Sequence, residues 1–121
     1  FWGDDFMKPY PHQPDIIVPL ADERMDLKVK LASCHECQYF DWMYWPHHTE
    51  RIDWPREKQM AMLSERYHAG SQAEADRLRG KLTELYGVES AAKIRNVETY
   101  EISEYSGPID EEFLTIAKSA E

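Results

Sequence analysis

Residues 33–48 read SCHECQYFDWMYWPHH, which places two cysteines, three histidines and five large aromatic rings within sixteen positions. Trp54 follows closely, and the first fourteen residues, FWGDDFMKPYPHQP, add Phe1, Trp2, Phe6 and Tyr10. Each of these rings needs about 150–250 Å² of cover. A chain of 121 residues is near the commonest size for one domain, with room in its core for a few of them and hardly for all. Tyr39, Phe40, Trp42, Tyr44, Trp45 and Trp54 therefore point to burial completed by a neighbouring protein, the use that interfaces make of Trp and Tyr.

The three prolines of residues 1–14 fix φ and remove hydrogen-bond donors, so this stretch reads as an extended docking arm. Residues 15–121 read as one small α+β domain. Residues 15–20, DIIVPL, suit a short strand whose Pro19 belongs at an edge or bulge. Leu27, Val29 and Leu31 alternate with Lys28 and Lys30, which predicts a half-buried strand over residues 25–33 running into Cys34. Asp53 and Pro55 open a helix expected to end at Gly70, where His68 would meet the C-terminal dipole. Ser71 and Glu74 have the form of a capping box for a second helix, with Ala75, Leu78, Leu82, Leu85 and Tyr86 as its stripe and Gly87 as its stop. The two helices together predict a helical hairpin. Residues 94–103 predict a returning strand, and residues 110–118 a short C-terminal helix. The architecture expected is a small antiparallel sheet with a zinc-ribbon-like knuckle, the helical hairpin and the arm.

Cys34 and Cys37 have the C-x-x-C spacing that lets two thiolates meet one tetrahedral ion. Zinc in a closed structural site needs four ligands, and His47 and His48 are the nearest donors to complete the set, with His35 and His12 behind them. Neighbouring side chains diverge on regular elements, so one of the adjacent pair His47 and His48 reaches a given ion more readily than both. Two other readings stay open for the cysteines: small buried hydrophobes, or a redox pair. The redox reading is weakened because QYFDWMYWP, after Cys37, does not read as a helix start.

A formal net charge of −9 disfavours nucleic acid and anionic membrane surfaces, both of which need clustered Lys and Arg. No apolar run approaches the about 20 residues of a membrane span, and residues 1–5 lack the basic and apolar regions of a secretion signal. With two cysteines and no disulfide framework, the expected compartment is the cytoplasm. The sequence contains no phosphate loop, dinucleotide-binding fingerprint or nucleophile elbow. Its 23 carboxylates read as solvated surface rather than catalytic pairs, and no self-contained active site is expected.

The order of segments carries a resemblance. IIVPL at 16–20, the alternating residues 27–33, the knuckle at Cys34 and Cys37, and Asp41 with Trp42 resemble the small zinc-binding subunits of the acetone and acetophenone carboxylase family, and most of all its acetophenone-type β subunits. The likeness covers residues 15–45 and is loose beyond them. Acetone-type small subunits carry a second C-x-x-C late in the chain; here Ile102 and Tyr105 stand at the comparable place. The resemblance implies an accessory subunit of a complex (a ligase) that carboxylates a ketone with bicarbonate to a β-keto acid, using ATP and no biotin. It further implies that ATP, a divalent cation and the catalytic residues belong to large hydantoinase-like subunits, and that this chain serves assembly. A free-standing zinc-ribbon-like interaction module is the alternative reading.

Overall fold

A computed structural model describes residues 12–42, 48–103, 105, 107, 110–112 and 115. The described elements are β1 (Ile16–Leu20), α1 (Asp22–Ser33), a π-helical segment (Cys37–Trp42), a 3-10 turn (Thr49–Arg51), α2 (Arg56–Arg77), α3 (Arg79–Tyr86), α4 (Val88–Lys93) and β2 (Asn96–Tyr100). The α+β class expected from the sequence is observed, with helix outweighing sheet.

The two strands pair antiparallel, Ile16 opposite Tyr100 and Leu20 opposite Asn96, so that helices α1 to α4 lie between them in the chain. Pro19, which has no N–H, sits on β1 opposite Val97. Both strands are met by side chains from the helices. The Ser71 hydroxyl donates to the Val97 carbonyl at 3.0 Å and accepts from the Val97 N–H at 2.9 Å. The Tyr86 hydroxyl donates to the Ile17 carbonyl at 2.8 Å. A two-stranded sheet is marginal alone, and these bonds blunt strand edges that would otherwise invite another chain.

Two expectations fail here. Residues 25–33 belong to helix α1 rather than to a strand. Met25, Val29 and Ala32, spaced i, i+4, i+7, form the buried face of α1, while Leu27 and Leu31 are 44% and 61% exposed. The apparent alternation comes from two apolar stripes on opposite sides of one helix, with acidic Asp22 and Glu23 in its first turn favouring that state. The helical hairpin is the second failure. Helix α2 runs through Gly70 and Ser71, because Gln59, Leu63, Tyr67, Ser71 and Ala75 make one inward stripe at i, i+4 spacing that no break interrupts. The break falls instead at Leu78 (φ −97°, ψ 11°), one residue where an antiparallel reversal takes about two to five. His68 accordingly lies inside α2 and pairs with Asp26 of α1 at 3.1 Å.

Other expectations hold. Gly87 ends α3 with φ 79° and ψ 161°, a conformation reserved in practice for glycine, and the next residue opens α4. Both outer strands form, five residues each. Residues 111, 112 and 115 are helical, as expected of the C-terminal segment; Asp110 precedes them outside the helix, and positions 113, 114 and 116–118 lie outside the described residues. Of the arm, residues 1–11 also lie outside. His12 lies beside β2, its ring meeting the Thr99 hydroxyl at 3.2 Å and the Glu101 carboxylate at 3.3 Å, and Lys81 donates to the Pro14 carbonyl at 3.0 Å.

Helix α2 serves two hydrophobic clusters. Toward its C-terminal end Ala75 joins Ile17, Leu78, Leu82, Ala91 and Val97, with Tyr86 and Ile94 packed against them. Toward its N-terminal end Leu63 joins Val29, Ala32 and Phe40, flanked by Tyr39, Met60 and Tyr67.

Candidate functional site

The cysteine segment begins where α1 ends. Cys34 is the C-cap, in helical conformation (φ −71°, ψ −18°), and its thiol donates to the Lys30 carbonyl at 3.4 Å. Cys37 opens the π-helical segment, whose first turn is closed by the Gln38 and Tyr39 N–H groups donating to the His35 carbonyl. The residues after Cys37 therefore are helical, against the expectation, but they follow a helix rather than a strand. Both thiols are free and exposed.

Arg56, the first residue of α2, ties this turn down. Its guanidinium donates to the Ser33 carbonyl at 3.3 Å and to Glu36 at 3.1 Å, and lies 3.6 Å from the centre of the Phe40 ring. A cation at the C-terminal end of α1 is also favoured by the helix dipole. Among the described residues of the segment Phe40 is the one deeply buried ring; Tyr39 is half-buried, its hydroxyl 2.6 Å from that of Tyr67. Burial, then the Tyr39 hydrogen bond, raises the Tyr67 phenol well above its ordinary range, so Tyr67 is neutral at physiological pH. Trp42, in contrast, is 66% exposed.

Of the four residues expected to hold zinc, Cys34 and Cys37 share a turn, His48 is exposed and lies 3.5 Å from Glu50, and His47 lies outside the described residues. Among the described residues no three His, Cys, Asp or Glu side chains converge as a metal site. Cys34, Cys37 and His48 thus do not come together as a group of three, and a closed zinc site needs four ligands. The zinc-ribbon-like knuckle is not formed in the described residues, since a helix and not a strand leads into Cys34.

Trp54 is partly covered, with the Lys58 ammonium 3.6 Å and the Arg51 guanidinium 5.5 Å from its ring. Gln59, buried in α2, donates to the Arg51 and Ile52 carbonyls at 3.0 and 3.1 Å and anchors that turn. Tyr44 and Trp45 lie outside the described residues.

The feature that sequence reading missed is the outer face of α1. Leu27, Leu31 and Cys34 follow i, i+4, i+7 and all face solvent. The same residues fit a strand period as well as a helical one, so their spacing alone does not reveal this face. Elsewhere, an open cleft of about 220 Å³ is lined by Gln72, Asp76, Arg79, Ala92, Ile94 and Arg95. Its charges are spent internally: Arg79 donates to Asp76 at 2.7 Å and to the Ile94 carbonyl at 2.8 Å, and Arg95 lies 3.7 Å from Asp22. No described helix is long and apolar enough to cross a membrane.

Comparison with known proteins adds no relative: no family model, curated protein or solved structure matches the chain.

Proposed function

We propose that this chain is a non-catalytic docking subunit whose partners are the large, hydantoinase-like subunits of an ATP-dependent, biotin-independent ketone carboxylase. The observation that supports docking is the set of large apolar side chains left uncovered at the cysteine end, Leu27, Leu31 and Trp42. Leaving these groups in water forgoes about 1.5–3 kcal/mol each that burial would return. The assignment to a carboxylase rests on the resemblance of residues 15–45. In this reading ATP, the divalent cation and the ketone are bound by the large subunits, and the present chain shapes or closes the space between them. The reading does not depend on zinc.

Co-expression with the large subunits followed by native mass measurement tests it. The expected result is a stable hetero-oligomer with carboxylase activity, while the isolated chain hydrolyses no ATP. Trp42→Ala is expected to weaken assembly by about 2 kcal/mol, the size of an interface hot spot, with the melting temperature of the isolated chain unchanged. A solitary monomer that ignores the large subunits would sink the proposal and favour the free-standing interaction module.

A further inference from the structure

We draw no further inference here: the strongest candidate, the side-chain cluster beside β2 in which His12 joins the Thr99 hydroxyl to the Glu101 carboxylate, carries nothing beyond a tie between residue 12 and the sheet, because Thr99 is buried on its strand and the described cleft is lined by other residues.

Discussion

Helix α2 packs a different kind of core at each end. Near its C-terminus the partners are aliphatic and small, and Ala75, Leu82 and Ala91 are 0–1% exposed. Backbone polar groups there are answered by dedicated side chains: Ser71 on Val97, Tyr86 on Ile17, Arg79 on Ile94. Asn96, wholly buried at the start of β2, donates to Asp22 at 2.7 Å and so ties the strand to the head of α1. Near the α2 N-terminus the partners are rings. Phe40 is buried beneath the Arg56 guanidinium, Tyr39 and Tyr67 share a hydroxyl contact, and Trp54 lies against Lys58. Trp42 and the outer leucines of α1 remain uncovered beside them. Exposed apolar side chains occur at both ends, Leu27, Leu31 and Trp42 on one side and Leu85, Val88, Tyr100 and Ile102 on the other, so the two ends differ in the make-up of their cores rather than in how fully they are covered.

The largest expected effect sets these ends against each other. Leu82→Ala, at a fully buried site of the sheet end, is expected to cost about 2–5 kcal/mol in chemical denaturation. Leu31→Ala, on the outer face of α1, is expected to stay within about 0.5 kcal/mol. Equal losses from the two would break the contrast.

Ser71→Ala comes next, since it strips a partner from both the N–H and the C=O of Val97. The expected loss is about 1–3 kcal/mol, read as a lower urea midpoint. A helix that only needed Ser71 as a cap would lose less and would leave exchange of the β2 amides unchanged.

Two glycines sharpen the point further. No atom lies within 4 Å of a Cβ built on Gly70 or Gly87, so backbone conformation alone decides the outcome. Gly87→Ala forces a side chain into positive φ and is expected to cost about 1–3 kcal/mol. Gly70→Ala, inside continuous α2, is expected to stabilise by about 0.4–1 kcal/mol. Destabilisation at position 70 would restore the broken helix that the sequence suggested.

The smallest effect is electrostatic and links the two ends. Burial pushes the Glu98 carboxyl up, but hydrogen bonds from Lys28 of α1 and from the Tyr100 hydroxyl outweigh it and leave the group below its ordinary value. Tyr100 is in turn pushed up to about 12, by burial first and Glu98 second. A carboxyl more acidic folded than unfolded contributes its stability in full above the ordinary value of 4.5 and loses it as pH falls through the lower folded value. The melting temperature of Glu98→Gln is therefore expected to fall less steeply than that of the wild type on acidification below that point.

Much of this was legible in the residues. IIVPL and NVETY are β-branched and bounded by turn chemistry, so both strands were expected, though not as each other's sole partner among the described residues. Gly87 announced the end of α3, because few other residues accept its backbone angles. The excess of rings around Cys37 was legible as more than a small core could cover, and among the described ones Phe40 is buried while Trp42 is exposed. The metal reading was legible only to the level of two thiols, since spacing along a chain cannot bring distant donors together.

What the amino acids determined alone were features set by one residue's own backbone preference or by total apolar surface against chain length. What tertiary structure decided were the features where a local pattern had two solutions. Leu27, Val29 and Leu31 satisfy a strand with one apolar face and a helix with two; Phe40 and Leu63, packed in one cluster with Val29 and Ala32, select the helix. Gly70 and Ser71 can end a helix or continue one. The answer depends on Val97, twenty-six residues away, whose backbone needs the Ser71 hydroxyl inside the fold rather than at a helix end.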